Sequence, residues 1–218
     1  MISVLVFLAA ILSAYLIGSM PTGFLMTKIF KGVDIRGVGS KNVGATNVYR
    51  TAGKLPGFLT LFIDIAKGIL VVTVVAQFYY VLLQDLDYIF FRTLLGLIAI
   101  FGHIWSVFLK FKGGKGVATT IGVTGIIAPI PLLLSLVVWL AVFIPTKYVS
   151  LGSILFGISL PIFSALLNEP FYVSIFCVII CLINTYKHRE NIARLLKGAE
   201  NKTILSKKCP ISPSRALD

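Results

Sequence analysis

"SVFLKFKGGKGVATTIG", Ser106–Gly122, places three lysines and four glycines between two strongly apolar stretches of the chain. Lysine is costly within the hydrocarbon of a membrane, and glycine weakens the interior of a helix. The segment is therefore predicted to be a polar connection between two hydrophobic helices. Its lysines also indicate on which side of a bilayer the connection lies, because basic residues accumulate on the cytoplasmic side.

The composition of the whole chain predicts an integral membrane protein. The chain has 218 residues, of which 57% are hydrophobic and only 13% are charged, and its mean hydropathy is +0.96. Runs of about 18 or more apolar residues are long enough to cross a bilayer as helices. We therefore predict one all-α, polytopic membrane domain over residues 1–202, followed by a basic cytoplasmic tail over residues 203–218.

Seven hydrophobic segments are predicted to form the spans. They fall near residues 2–27, 57–82, 89–109, 117–129, 131–146, 150–167 and 171–186. The segments 117–129 and 150–167 are short for a full span, so partial or tilted helices supported by their neighbours are expected there. A five-span alternative, in which the short segments are merged or removed, keeps the same orientation.

The distribution of basic residues predicts that orientation. Seven spans place all but two of the 20 lysines and arginines on one side, the exceptions being Lys67 and Arg92. The positive-inside rule then puts the N-terminus outside and the C-terminus in the cytoplasm. The net charge of +12 is accordingly explained by topology, and no nucleic-acid partner is predicted.

The first of three polar stretches on the cytoplasmic side is "DIRGVGSKNVGATNVYR", Asp34–Arg50. Hydroxyl and amide side chains close to several glycines are suited to bind an anion, because both the side chains and the backbone N–H groups can donate hydrogen bonds to it. An ordinary solvated loop accounts for the lysines but accounts less well for these donors. The candidate binding residues are Ser40, Asn42, Thr46, Asn47 and Arg50.

The second polar stretch is the glycine-lysine segment itself. Its candidate residues are Lys112, Gly113, Gly114, Lys115 and Gly116, which immediately precede a helical run that starts near Val117. A helix N-terminus carries partial positive charge and free N–H donors, both of which favour phosphate. The pattern does not match the Walker motif, and a flexible basic connector is an equally good interpretation from this stretch alone.

The third polar stretch, "NTYKHRENIARLLKGAENK", Asn184–Lys202, follows the last predicted span. His188 and Asn191 are three positions apart, so on a helix they share a face and are candidates for joint contact with a substrate. Arg194 and Lys197 are assigned to a polybasic segment that is attracted to anionic lipid.

Two further polar features fall inside the predicted spans. Asp64 and Lys67 form an (i, i+3) pair in "LTLFIDIAKGIL", and His103 lies in "IFGHIW". Charges within a membrane are costly and often functional, which makes Lys67 a candidate binding residue. A structural ion pair and a buried, hydrogen-bonded histidine are the alternatives, and the sequence does not exclude them.

Six segments taken in order resemble the bacterial acyl-phosphate:glycerol-3-phosphate acyltransferase family. The resemblance runs from about Gly18 to Lys202. Its segments are "GSMPTGFLMTK" (Gly18–Lys28), "GSKNVGATNVYR" (Gly39–Arg50), "DIAKG" (Asp64–Gly68), "GHIWSVF" (Gly102–Phe108), "FKGGKGVAT" (Phe111–Thr119) and "HRENIARLLKGAE" (His188–Glu200).

This resemblance implies an enzyme of the bacterial cell membrane. It implies transfer of a fatty acyl group from acyl phosphate to the 1-hydroxyl of glycerol 3-phosphate, which gives lysophosphatidate and phosphate and opens phospholipid synthesis. It assigns glycerol 3-phosphate chiefly to the glycine loop, together with Ser40 and Arg50 from the first motif and His188 and Asn191 from the third.

The chemistry implied by the resemblance requires little covalent help from the protein. Acyl phosphate is already activated, so the enzyme has to orient the hydroxyl, stabilise the oxyanion and place one proton. Either His188 or a substrate phosphate is the proton acceptor. No cofactor and no metal are predicted, and the expected partners are the two substrates, membrane lipid and other enzymes of phospholipid synthesis.

Two other classes of protein compete with an enzyme. An anion transporter shares the basic residues, but it is expected to repeat its topology, and no repeat of fixed period is visible. A structural lipid-binding protein explains the basic tail and leaves the dense polar stretches unexplained.

Overall fold

The computed structural model describes residues 2–83 and 86–203, and over these residues the chain folds as helices joined by turns and loops. The predicted all-α class is confirmed. The helices are α1 (Ile2–Ser19), α2 (Thr22–Lys31), α3 (Ala45–Ala52), α4 (Lys54–Leu70), α5 (Ala76–Leu83), α6 (Tyr88–Ile104), α7 (Val117–Ile127), α8 (Pro129–Thr146), α9 (Val149–Leu166), α10 (Phe171–Lys187) and α11 (Arg189–Leu196). A π-helical turn, Val71–Val75, joins α4 to α5.

Each of the seven predicted apolar segments coincides with one helix or with two consecutive helices. Five of these runs are long and apolar enough to cross a membrane within the described residues, and the bent pair α10–α11 raises the number to six. Helix α7, Val117–Ile127, is apolar but has only 11 residues. The chain is therefore a multi-helix membrane protein, while the count of seven spans and the orientation stay predictions.

Small residues let the long helices approach each other closely. A Cβ atom on Gly18 of α1 would overlap the backbone of Ala99 in α6, and one on Gly122 of α7 would overlap the carbonyl of Ile65 in α4. Contacts of this kind are typical of helices packed within a membrane, where apolar burial against lipid gives no net gain. They fix α6 and α7 against α1 and α4.

The outer surface is apolar and the polar residues collect at one end of the bundle. Large side chains such as Leu5 and Phe62 are more than half exposed, as expected for residues that face lipid. At one end, α6 stops at Ile104, α7 starts at Val117 and α10 gives way to α11, so three helix ends converge there. The basic tail predicted over residues 203–218 lies outside the described residues, apart from Thr203.

Candidate active site

The glycine loop is bound to the end of α6 through its own backbone. The amide of Gly113 donates to the carbonyl of Ile104 at 3.1 Å, and the amide of Gly114 donates to the carbonyl of His103 at 3.0 Å. A Cβ atom on Gly114 would overlap the imidazole of His103, and one on Gly113 would overlap the His103 carbonyl. These two glycines are therefore needed for close packing, and both amides are already hydrogen-bonded without a ligand.

Gly116 serves a different purpose in the same loop. Its φ of +89° lies in the left-handed region, which glycine adopts without strain, and it caps the N-terminus of α7. What the loop presents toward a ligand is consequently the start of α7 and the ammonium of Lys115, with Lys112 exposed at its edge. The amides of Gly113 and Gly114 are not free donors, and the assignment of these two residues to substrate binding stays a prediction.

A buried charged triad lies directly beneath this loop. Lys67 Nζ is 2.8 Å from Asp64 Oδ1 and 2.9 Å from His103 Nδ1, and it donates to the carbonyl of Met20 at 3.3 Å. All three charged or titratable side chains are buried. The ammonium of Lys67 therefore has its partners inside the bundle, as expected if the Asp64–Lys67 pair is structural. His103 connects this triad to the loop, because its carbonyl accepts from the amide of Gly114.

The second polar cluster joins the glycine loop to α11 and to the segment after it. Lys115 Nζ donates to Asn191 Oδ1, and Asn191 Nδ2 donates to Glu200 Oε1 at 2.8 Å. Glu200 also accepts from Ser150 Oγ at 2.9 Å, and its other oxygen pairs with Arg194 Nε at 2.7 Å. Lys115 and Asn191, predicted from separate motifs, are thereby brought into direct contact.

Burial of this cluster shifts the acidity of its groups. Burial in particular lowers the pKa of Lys115 to about 8, an effect that Glu200 opposes and that Arg194 and Arg50 reinforce. Burial raises the pKa of Glu200, but its hydrogen bonds from Asn191 and Arg194 outweigh that effect and leave the pKa below its usual value. The cluster therefore holds an ionised carboxylate among cations.

His188 lies at the junction of α10 and α11 and is 2% exposed. Its Nδ1 is 2.8 Å from the carbonyl of Asn184, so Nδ1 carries the proton and Nε2 keeps a free lone pair. Burial, followed by the charge of Lys115, lowers the pKa of His188 to about 4. The imidazole is therefore neutral at physiological pH, and its Nε2 is able to accept a hydrogen bond.

Arg50 reaches the same region from α3. One guanidinium nitrogen donates to Thr203 Oγ1 at 2.8 Å and to the carbonyl of Asn201 at 3.1 Å. Burial lowers the pKa of Arg50, the charge of Glu200 opposes this effect, and the charge of Arg194 adds to it. The predicted residues Arg50, Lys115, His188 and Asn191 are therefore neighbours, although 141 residues separate the first from the last along the chain.

The other predicted residues of the first motif have different surroundings. Asn47, in the first turn of α3, is hydrogen-bonded to the loop that precedes this helix. Its Oδ1 accepts from the amide of Ser40 at 2.9 Å, and its Nδ2 donates to the carbonyls of Val38 and Asn42. Asn42 Oδ1 accepts from the amide of Gly44 at 2.9 Å. Asn42 and Asn47 thus shape the loop that carries Ser40.

Ser40 is exposed, and Thr46 is half-buried near the start of α3. Neither hydroxyl is hydrogen-bonded to the Lys115–Asn191–Glu200 cluster within the part of the chain that the structure describes. Their assignment to the site stays a prediction.

Glu200 and Ser150 are members of the cluster that the sequence analysis did not single out. Arg194, assigned there to lipid attraction, forms the ion pair with Glu200. The available signal was the charge pattern of the last stretch, in which Glu200 is an acidic residue set among Arg194, Lys197 and Lys202. Ser150 lies in a separate apolar helix and gave no such signal.

The sequence profile of the family described as "Glycerol-3-phosphate acyltransferase" matches residues 8–198. This chain belongs to the glycerol-3-phosphate acyltransferase family. Among curated members, the glycerol-3-phosphate acyltransferase of Desulforamulus reducens is 47% identical over 192 residues, which cover 88% of this chain and 92% of that protein. The one from Fusobacterium nucleatum subsp. nucleatum is 43% identical and covers 90% and 97%.

Solved structures of this acyltransferase family share the fold. The glycerol 3-phosphate form of PlsY (YgiH), an integral membrane glycerol 3-phosphate acyltransferase, superposes with a TM-score of 0.82 at 41% identity and covers 91% of this chain and 96% of that one. The lysophosphatidic acid form of the same protein gives a TM-score of 0.79 at 40% identity. The family resemblance noted from the motifs is confirmed.

Proposed function

We propose that this protein transfers a fatty acyl group from acyl phosphate to the 1-hydroxyl of glycerol 3-phosphate, giving lysophosphatidate and phosphate. The observation that carries the proposal is the convergence of Arg50, Lys115, His188 and Asn191, which come from three separate motifs, at one end of an apolar helix bundle. The glycerol 3-phosphate and lysophosphatidic acid forms of the related PlsY agree with this substrate and product.

The charges of the cluster suit two phosphorylated substrates held close together. Arg50, Lys115 and Arg194 are cations that share the carboxylate of Glu200, so positive charge is in excess. A phosphate accepts charge-assisted hydrogen bonds from such cations more strongly than a neutral group does. We assign the phosphate of glycerol 3-phosphate to Lys115 and Arg50, with Ser40 and the exposed Lys112 as further contacts.

The apolar surface beside the loop suits the acyl chain. Val107, Phe108 and Phe111 are exposed next to the glycine loop, with Phe108 and Phe111 each 59% accessible. An acyl phosphate dissolved in the bilayer would bury its chain against such residues while its phosphate stays at the polar end. With the acyl chain bound in this way, we assign the activated carbonyl to a position next to His188 and Asn191.

The reaction then requires one bond exchange and one proton transfer. The glycerol oxygen attacks the acyl carbonyl, the bond from that carbon to the phosphate oxygen breaks, and the hydroxyl proton goes to a base. His188, with a pKa of about 4, is a weaker base than a phosphate, whose second pKa is about 6. We therefore assign final proton acceptance to a substrate phosphate and orientation of the hydroxyl to His188 Nε2.

The topology proposed with this function has seven spans, the N-terminus outside, and the active site on the cytoplasmic face of the bacterial cell membrane. The charge distribution supports it, because seven spans place all of the 20 lysines and arginines except Lys67 and Arg92 on one side. In a cysteine-free background, Lys112→Cys is expected to react only with reagents that enter the cell, and Asn168→Cys with impermeant reagents outside. The reverse labelling pattern would refute this orientation.

The proposed reaction is tested with purified protein in a neutral detergent. Acyl phosphate and radiolabelled glycerol 3-phosphate are expected to give labelled lysophosphatidate and one equivalent of phosphate, without added metal or cofactor. Acyl-CoA in place of acyl phosphate is expected to give none. If lysophosphatidate formed only from acyl-CoA, the protein would still be an acyltransferase, but acyl phosphate would not be its acyl donor. Copurification with other phospholipid-synthesis enzymes would test the proposed partners.

A further inference from the structure

A cavity lies at the end of α6, α7 and α10 opposite to the candidate active site. It has a volume of about 160 Å³ and is lined by Ile89, Arg92, Thr93, Ile127, Pro170 and Val173. These residues belong to the first turns of α6 and α10 and to the last residue of α7, whereas the candidate active site lies at the other end of each of these helices. The 17 residues of α10 separate the two sites by roughly 25 Å along that helix.

Arg92 gives this cavity a positive charge that the protein only partly satisfies. One guanidinium nitrogen donates to the carbonyl of Ile126 at 3.1 Å, and the guanidinium lies 5.6 Å from the centre of the Tyr88 ring. Arg92 Nε is buried without a hydrogen-bond partner among the described residues, and none of their carboxylates pairs with it. A partly unsatisfied arginine near the end of a membrane helix, without an acidic partner among the described residues, is a candidate binding group.

Thr93 supplies an independent observation that points to a ligand. Its side chain is 5% exposed and lines the same cavity, yet its hydroxyl has no partner within the part of the chain that the structure describes. A buried hydroxyl without a hydrogen bond is costly, so such groups are usually satisfied by an ordered molecule. The N-termini of α6 and α10 also add partial positive charge there.

The surroundings favour an amphipathic anion over a free one. The remaining lining is aliphatic or proline. Two aromatic pairs include immediate chain neighbours of lining residues: the ring centroids of Phe90 and Tyr172 are 5.0 Å apart, and those of Tyr80 and Tyr88 are 4.6 Å apart. Tyrosines gather at the level of lipid headgroups in membrane proteins. We propose that this cavity binds the phosphate group of an anionic phospholipid, with Arg92 and Thr93 as its ligands.

The test is native mass spectrometry of the full-length protein released from a neutral detergent. It counts adducts of phosphatidylglycerol and of phosphatidylcholine with identical acyl chains. We expect tighter binding of phosphatidylglycerol, and a loss of roughly 10-fold or more in that affinity for Arg92→Gln, as for removal of a charged hydrogen bond. A smaller loss is expected for Thr93→Val, which keeps the shape of the side chain.

Arg189→Gln is the matched control. Like Arg92, Arg189 donates to a backbone carbonyl, that of Tyr186 at 3.2 Å, and its guanidinium lies 4.5 Å from the centre of a tyrosine ring. Unlike Arg92, it is exposed and does not line the cavity. Arg189→Gln removes the same charge as Arg92→Gln, so any general loss of attraction to anionic lipid appears equally in both variants. Affinity for phosphatidylglycerol is expected to change little.

Three outcomes would overturn the proposal. Equal losses in Arg92→Gln and Arg189→Gln would mean unspecific charge attraction. Inorganic phosphate bound as tightly as the lipid, with the same dependence on Arg92, would mean a free-anion site. If Arg92→Gln does not fold, Thr93→Val decides: unchanged lipid affinity together with a higher melting temperature would show that the hydroxyl is unpartnered because the cavity is empty.

Discussion

Two charged clusters lie close to the glycine loop in space, and they differ in how their charges are balanced. In the inner triad, Asp64, Lys67 and His103 are 2–7% exposed, and Lys67 Nζ lies within 2.9 Å of both Asp64 Oδ1 and His103 Nδ1. In the end cluster, Arg50, Lys115 and Arg194 surround the carboxylate of Glu200, with the charge of Glu190 also acting on Lys115, and Arg194 is 36% exposed.

The difference separates support from binding. In a buried ion pair the two charges compensate each other, and removing one member leaves an uncompensated charge. A cluster with excess positive charge at the end of the bundle gains from a bound dianion. We infer that the triad holds the glycine loop in position, while the end cluster receives phosphate, and the following predictions test this division.

The largest effect is expected from breaking the triad. Asp64→Asn leaves the ammonium of Lys67 buried without its counter-charge, and the free energy of unfolding is expected to fall by about 3–5 kcal/mol. Thermal unfolding in detergent measures it. The exposed pair Asp34–Arg36 provides the control, because Asp34→Asn is expected to cost at most about 1 kcal/mol.

A double variant completes this test. Replacing both members of the pair with apolar residues, Asp64→Leu with Lys67→Met, is expected to recover much of the stability, since a buried ion pair gains little over apolar packing. Equal melting temperatures of Asp64→Asn and the wild type would show that the triad does not stabilise the bundle.

The next largest effect concerns the end cluster. Arg50→Ala removes a charged donor assigned to phosphate, and kcat/KM for glycerol 3-phosphate is expected to fall roughly 10- to 150-fold, the equivalent of about 1.5–3 kcal/mol. The melting temperature is expected to change little. Arg36→Ala, which removes an exposed arginine paired with Asp34, serves as the control. Near-normal activity of Arg50→Ala at normal expression would remove Arg50 from the site.

Gly114→Ala tests the link between the two clusters. Its methyl group would overlap the imidazole of His103, so overpacking is expected to cost about 1–3 kcal/mol and to displace the adjacent Lys115, which raises KM for glycerol 3-phosphate. Gly125→Ala is matched because its Cβ meets Leu132 at an ordinary 3.4 Å. Stability and KM both unchanged in Gly114→Ala would mean that the loop is only a connector.

The smallest expected effect is a shift in pH dependence. Lys115, whose pKa is about 8, is charged below that pH and neutral above it, so kcat/KM is expected to fall as pH rises through about 8. In Lys115→Arg the cation persists to much higher pH, and the fall is expected to move beyond pH 10. Initial rates corrected for spontaneous hydrolysis of acyl phosphate measure this. An identical alkaline limb in both proteins would assign it to another group.

The apolar helices could be predicted because membrane spans are determined by length and hydropathy, which the sequence contains directly. The short helices α3 and α11 were not among the predicted segments, since helices of eight residues are too short to be recognised as membrane spans. Helix α7 illustrates the remaining ambiguity: its 11 apolar residues were recognised, but whether such a segment spans a membrane depends on its neighbours.

The site could be predicted in composition but not in connectivity. Arg50, Lys115, His188 and Asn191 were identified because polar residues concentrate in otherwise apolar surroundings. Their hydrogen bonds depend on tertiary packing, which no local pattern encodes. For the same reason, the sequence predicts Gly113 and Gly114 as candidate binding residues but not the hydrogen bonds of their amides to the end of α6.

The segment after α11 closes the candidate site as a strap. Thr203 donates its amide to the carbonyl of Lys147 at 2.9 Å and its hydroxyl accepts from Arg50, 153 positions earlier. A ribosome adds about 5–20 residues per second, so roughly 8–30 s pass between synthesis of Arg50 and of its partner. The last long helix, α10, ends at Lys187, so translation that stops between Lys187 and Glu200 would leave every long helix in place and the candidate site incomplete.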